Sequence, residues 1–238
     1  MSHATAPVRL ALIGMGKMGR ALDALSGERG LAVVARIDPS ADDYAGVTTA
    51  SLGGAQVAID FTMPDAVADN VRACLRARCP VVVGTTGWYD QLPELTREVQ
   101  VAGGALLTAP NFSLGVAVFD RLVAEAARLF GALGEFDVHM IETHHAAKKD
   151  APSGTAGLLA KTAECAGGRP VPITSIRTGS VPGTHELLFD APFEQVRLVH
   201  EARDRRVFAE GALAAARWLV SRRGVFTMQD VLSTPAGS

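Results

Sequence analysis

Between Glu142 and Ala156 the chain reads ETHHAAKKDAPSGTA, residue types whose spacing suits proton transfer to an acidic small molecule. The adjacent imidazoles of His144 and His145 could donate or accept a proton. Lys148 and Lys149 add cationic donors, and Lys148 can protonate a developing negative charge placed beside it. Ser153, Gly154 and Thr155 can open a helix whose first backbone N–H groups face an anion. A lone histidine is more often a satisfied polar residue, and a lysine pair is more often solvated. Two of each, ahead of a helix start and within the twelve positions from His144 to Thr155, argue for a site. Asp150 either orients one of the cations or precedes a turn at Ala151 and Pro152. No metal is expected, because no HExxH pattern is present and the lysines would repel a divalent cation.

Such a cluster needs a scaffold, and the first sixty residues spell one. Val8 to Ile13, VRLALI, reads as a buried strand; it runs into Gly14, Met15, Gly16, Lys17, Met18 and Gly19, and then into a helix predicted over Arg20 to Glu28. A second strand, Leu31 to Ile37, ends at Asp38, about twenty positions past the glycines, where a dinucleotide's ribose would be read. Gly14 permits a tight turn, Gly16 lets backbone approach a pyrophosphate, and Gly19 allows close contact between helix and strand. Glycine turns are common, so the flanking strand and Asp38 carry the inference. Asp38 followed by Pro39, with no arginine, leans the cofactor towards NADH, although Lys17 or Arg36 could meet the 2′-phosphate of NADPH.

The alternation continues with a strand ending at Ile59, Asp60 and Phe61, a helix over 64–78, a strand at Val81 to Val83, a helix over 91–101 and a strand at Ala105 to Leu107. This pattern predicts an α/β fold, a doubly wound parallel sheet of the Rossmann kind, with ligands at the carboxyl ends of its strands. Gly84, Thr85 and Thr86, and likewise Ala109, Pro110, Asn111 and Phe112, fall on that edge. They could hold a nicotinamide carboxamide, and ordinary turn chemistry explains them equally well. After Leu114 the pattern turns α+β: an amphipathic helix to about Phe130, a strand over 137–141, the histidine segment with its helix to about Cys165, strand-like runs over 173–177, 186–189 and 195–199, and a last helix over 211–220.

Bulk properties narrow the class. With 238 residues, 48% hydrophobic content and a formal net charge of −2, the chain can bury a full core and shows no excess of basic residues. Nucleic acid is not an expected partner, since the one basic cluster, Arg203 to Arg206, is interrupted by Asp204 and reads as solvated surface or a helix start. Cys74, Cys79 and Cys165 form no CxxC pair, which fits a reducing compartment. No leader pattern or spanning apolar run is seen, so a cytoplasmic protein without membrane contact is expected.

Taken together, the glycine loop, IDFTMPDAV (Ile59 to Val67), VVVGTTGW (Val81 to Trp88), APNFSLGV (Ala109 to Val116), HHAAKKDAPSGTA, VPGTHE (Val181 to Glu186) and FAEGALAAARWL resemble the 4-hydroxy-tetrahydrodipicolinate reductases, also called dihydrodipicolinate reductases. The resemblance implies a dinucleotide-binding domain over 1–113, an inserted substrate-binding and tetramerisation domain over 114–210, and a segment over 211–238 that returns to the first. It further implies NADH- or NADPH-dependent reduction of a cyclic imine dicarboxylate in the diaminopimelate route to lysine, by a homotetramer. By position, His144 matches the family's catalytic histidine and Lys148 its proton-donating lysine. His145, Gly154 and Thr155 match substrate-binding positions, and the cofactor contacts fall on Gly14 to Gly19, Asp38, Gly84 to Thr86 and Ala109 to Phe112. A different Rossmann dehydrogenase would have no need of the HHxxKxD segment, a nucleotide-sensing module would not require proton donors beside the nicotinamide, and an oligomerisation protein would not explain the placement of Asp38.

Overall fold

The computed structural model describes residues 6–42 and 44–233, so the outermost residues of the segments 1–113 and 211–238 lie outside it. The chain divides into two compact units, Met1–Ser113 with Phe208–Ser238, and Leu114–Val207.

In the first unit strands and helices alternate: β1 (Val8–Ile13), α1 (Lys17–Ser26), β2 (Leu31–Ile37), β3 (Val57–Asp60), α2 (Val67–Arg76), β4 (Val81–Val83), α3 (Leu92–Ala102) and β5 (Ala105–Thr108). The second unit holds α4 (Leu114–Leu133), β6 (Asp137–His144), α5 (Gly154–Gly167), β7 (Ile173–Arg177), β8 (Thr184–Ala191) and β9 (Glu194–Glu201). The chain then returns to the first unit through α6 (Arg206–Leu219), β10 (Gly224–Phe226) and α7 (Met228–Ser233).

All six strands of the first unit pair in parallel, in the order β10, β5, β4, β3, β1, β2. Parallel sheets are covered on both faces, which is why β3, β4 and β5 are buried at every position and β1 from Leu10 onward. The order reverses between β1 and β3, so the loops leaving those two strands open a crevice at the carboxyl edge of the sheet. Ala11, Ile13, Val71, Cys74, Val81, Val83, Leu95 and Leu106 form the centre of one core under α2 and α3.

The second unit is a four-stranded mixed sheet, β7, β6, β8, β9, with β6 parallel to β7 and antiparallel to β8. Side chains alternate between its faces. Val138 and Met140 on β6, Leu187 and Phe189 on β8, and Val196 and Leu198 on β9 pack with Phe119, Val123 and Ala127 of α4 and Leu159 and Ala163 of α5. Gly131 and Gly167 let α4 and α5 approach closely, since a Cβ on Gly131 would meet the Gly167 backbone.

Several elements differ from the sequence expectation. The helix expected over 211–220 as the last of the chain is followed by α7, and it begins at Arg206, five residues before Gly211, because Asp204 Oδ1 accepts from the Arg206 N–H at 2.7 Å and caps the helix earlier. The strand expected to stop at Ile141 continues through His144, carried by its pairing with β7. β10, three residues long, was not legible because so short a run has no periodicity.

Candidate active site

The first unit builds a cleft of about 490 Å³ lined by Gly16, Lys17, Met18, Phe61, Thr62, Pro64, Gly84, Thr85 and Thr86. Two glycines are sterically enforced: at Gly14 (φ +90°) a Cβ would collide with the Phe61 carbonyl, and at Gly19 with the Gly14 carbonyl. Gly16 has open space where its Cβ would stand, and it caps α1 with no side-chain hydrogen bond. The first-turn N–H groups of α1 are therefore left to water or to an anion. Loop backbone bared by glycine at a helix start fits the pyrophosphate of a dinucleotide.

Asp60, fully buried at the end of β3, ties this edge together. Its carboxylate accepts from the Thr62 N–H (3.0 Å), the Thr62 hydroxyl (2.7 Å), the Asn70 amide (2.8 Å) and the Thr85 hydroxyl (3.3 Å). Burial pushes the Asp60 pKa up against these hydrogen bonds. Thr85 is spent internally: its hydroxyl also accepts from the Thr62 N–H at 2.9 Å and its carbonyl from Trp88 Nε1 at 2.7 Å, whereas Thr86 is exposed. Asp38, Met15 and the turn from Ala109 to Phe112 lie outside the lining of the cleft. In that turn Phe112 is buried against Phe61, with ring centroids 5.9 Å apart, and Asn111 Oδ1 accepts from the Ser113 N–H at 2.8 Å. Asp38 Oδ1 accepts from the Ser40 N–H at 3.0 Å. Arg36 is held by Asp23 through two hydrogen bonds of 2.8 and 2.6 Å, which leaves exposed Lys17 as the cation of the glycine loop.

In the second unit the helix-facing side of the sheet is apolar along most of its length and becomes polar at one end. Continuing the alternation of Val138 and Met140, β6 places Glu142 and His144 on that side. Register then sets their neighbours: Ser175 of β7 and His185 of β8 flank Glu142, His200 of β9 lies beyond His185, and Arg177 of β7 is opposite His144.

Glu142 is fully buried, and one of its partners is a cation. Oε1 accepts from Arg177 Nη2 at 2.6 Å and from the Ser153 N–H at 3.3 Å, while Oε2 contacts His144 Nδ1. Burial opposes ionisation of this carboxyl, yet hydrogen bonds from Arg177, Ser175 and His144 outweigh it and hold the pKa at about 2. Burial depresses the His144 pKa, the Glu142 carboxylate pulls it back, and the charges of Lys148 and Arg177 leave the net direction downward. His144 is thus neutral at pH 7. The His185 ring meets that of His144 edge-on with centroids 5.2 Å apart, and burial together with the neighbouring histidines pushes its pKa down to about 4.

Around this core stand the remaining sequence candidates. Lys148 Nζ lies 2.7 Å from Asp150 Oδ1, and the Gly154 N–H also reaches the Asp150 carboxylate, so Asp150 orients a cation. Ser153 caps α5, its Oγ accepting from the Ala156 N–H at 3.2 Å, and places Gly154 and Thr155 in the first turn. His145 Nε2 is 2.8 Å from Arg205 Nη2. Lys149 is exposed. Glu142, Arg177, His185, His200 and Arg205 are not assigned from sequence; the Glu142-x-His144 alternation on a strand is the one local signal, and Arg205 falls in a cluster that reads as solvated surface or a helix start. Among the described residues no helix is long and apolar enough to cross a membrane, and no group of His, Cys, Asp and Glu is placed to hold a metal ion.

Family models for the N-terminus and the C-terminus of dihydrodipicolinate reductase match residues 8–112 and 115–232. The 4-hydroxy-tetrahydrodipicolinate reductase of Christiangramia forsetii is 34% identical over 95% of this chain and 98% of its own, and that of Methanoculleus marisnigri is 40% identical over 74% and 75%. Among solved structures, a dipicolinate-bound dihydrodipicolinate reductase from Paenisporosarcina sp. superposes with a TM-score of 0.78 at 24% identity, covering 93% of this chain and 97% of that one, and shares the fold.

Proposed function

The chain belongs to the dihydrodipicolinate reductase family, and we propose that it reduces the cyclic imine dicarboxylate of the diaminopimelate route to tetrahydrodipicolinate. It is an oxidoreductase. The observation that carries the substrate reading is the junction in the second unit: a neutral histidine on a buried anion, an ammonium, and a helix N-terminus in one segment. When bound, a reduced nicotinamide supplies the hydride. The ring also gains one proton, handled by Lys148 as the donor and by His144 as its partner through Nε2. The first-turn backbone of α5 at Gly154 and Thr155, together with His145 as set by Arg205, holds a carboxylate.

In the first unit, Gly14 to Gly19 and the Gly84 to Thr86 loop hold the dinucleotide, with Asp38 on the ribose and the Ala109 to Phe112 turn near the nicotinamide end. The cofactor reading leans to NADH, because Pro39 follows Asp38 and Arg36 is taken by Asp23. Asp38→Ala is expected to raise KM for NADH more than for NADPH; an equal rise for both removes Asp38 as the discriminating residue. The second unit serves as substrate and tetramerisation domain, consistent with exposed Ile176 and Val199 on its sheet. The assembly is a cytoplasmic homotetramer. The test of the reaction is loss of the near-ultraviolet absorbance of NADH when it meets the fresh condensation product of pyruvate and aspartate semialdehyde. Lys148→Ala should lower kcat by about 10² to 10⁴ with dinucleotide affinity kept, and wild-type turnover in that variant refutes the assignment.

A further inference from the structure

We infer that Glu142 is a positioning residue that fixes His144 as the Nδ1–H tautomer, so that Nε2 presents a lone pair to the substrate. This rests on the proton-handling role of His144 proposed above.

The proton between His144 and Glu142 can be assigned from the other contacts of the carboxylate. Oε1 receives two donors that never act as acceptors, the Arg177 guanidinium and the Ser153 backbone N–H. Arg177 is itself fixed, donating through Nη1 to the Ile176 carbonyl at 2.8 Å and through Nη2 to the Asp150 carbonyl at 2.6 Å. A carboxylate so placed, fully buried beside a permanent cation, is ionised and has no proton to give. The hydrogen on the Nδ1 side therefore belongs to the imidazole, which is donor at Nδ1 and acceptor at Nε2.

The surroundings leave Nε2 for a ligand. It makes no hydrogen bond among the described residues, and Gly183 passes over it: a Cβ on Gly183 would stand 3.0 Å from Nε2, and φ of +154° suits glycine there. The other groups facing the ring do not compete for Nδ1. His185 presents its edge from β8 and its Nε2 is 3.4 Å from Ser153 Oγ, Arg177 lies on β7 beyond the carboxylate, and Lys148 is paired with Asp150.

Glu142→Gln separates this role from mere packing. The two fixed donors require the amide oxygen at the Oε1 position, so the amide NH₂ must face His144 Nδ1 and the ring must switch to the Nε2–H tautomer. The experiment uses full-length protein carrying nitrogen-labelled histidine, read by two-bond proton–nitrogen correlation spectra, with the His144 signals identified by their loss in His144→Gln. The expected result is Nδ1–H in the wild type, Nε2–H in Glu142→Gln, and kcat lowered by about 10² to 10⁴ with KM for the dinucleotide unchanged. An Nε2–H tautomer in the wild type overturns the inference, as does wild-type turnover in Glu142→Gln, and the wild-type spectrum decides even if that variant does not fold. Full activity of His144→Gln would overturn the proton-handling role and leave the tautomer assignment to the spectrum.

Discussion

Each unit buries one carboxylate at the functional end of its sheet, and the two are stabilised in opposite ways. Asp60 is surrounded by neutral donors, two threonines and an asparagine, and burial pushes its pKa up. Glu142 touches a guanidinium and an imidazole, and its pKa is held at about 2. Hydroxyls and amides can rotate to suit either protonation state, so the first carboxylate serves as a knot for loops. A guanidinium cannot change its charge. The second carboxylate is therefore locked as an anion, and the adjacent ring must adapt to it.

Neutralising each carboxylate by its isosteric amide is the sharpest way to break this contrast. Glu142→Gln should cost about 3–5 kcal/mol in urea unfolding at pH 7, because it leaves the partly buried Arg177 without its counter-ion. Asp60→Asn belongs at the other end of the scale and is taken last.

Acid provides the next largest effect, at about 3 kcal/mol from His185 alone. The folded pKa of His185, about 4, lies below its ordinary value of 6.5, so the folded state holds fewer protons than the unfolded state between these limits. Stability should then fall as pH drops from about 6.5 towards 4, and fall further below 4.5 as Glu142 is forced to protonate. Asp60 acts with the opposite sign, since a raised folded pKa means that protonation favours the folded state. Urea unfolding across this pH range, compared with His185→Leu, checks the slope; the variant should lose most of the decline above pH 4.5. An equal slope in both proteins would mean that His185 is not the sensor.

Much of the first unit was legible because its signals are local. The strand, the glycines at 14, 16 and 19 and the second strand follow one another within thirty-odd residues (about 30), and steric collisions at Gly14 and Gly19 explain why no other residue serves. The second unit was legible only along the segment that carries His144, Lys148 and the α5 start. Arg177, His185 and His200 reach the site through strand register, and register depends on pairings between β6, β7, β8 and β9 that no short motif encodes. Arg205 shows the same limit: it looked like surface charge because its partner, His145, is sixty positions away. The early start of α6 has a local signal in the 203–206 cluster, which reads as solvated surface or a helix start; Asp204 caps that helix.

The smallest expected effect is Asp60→Asn, within about 1 kcal/mol in urea unfolding, because Asn70 can turn its amide to offer an oxygen to the new NH₂ group. A loss as large as that of Glu142→Gln would erase the distinction between the two carboxylates.

The two oxygens of Glu142 divide their duties, one towards the ring of His144 and the other towards the Ser153 N–H that opens α5. For anyone seeking to redirect the enzyme to rings lacking the second carboxylate, this makes selectivity and turnover hereditary companions. Loosening the α5 entrance through its anchor disturbs the base in the same stroke, so variation that keeps the catalyst alive has to enter from the outer side, at Gly154, Thr155 or the Arg205 contact with His145.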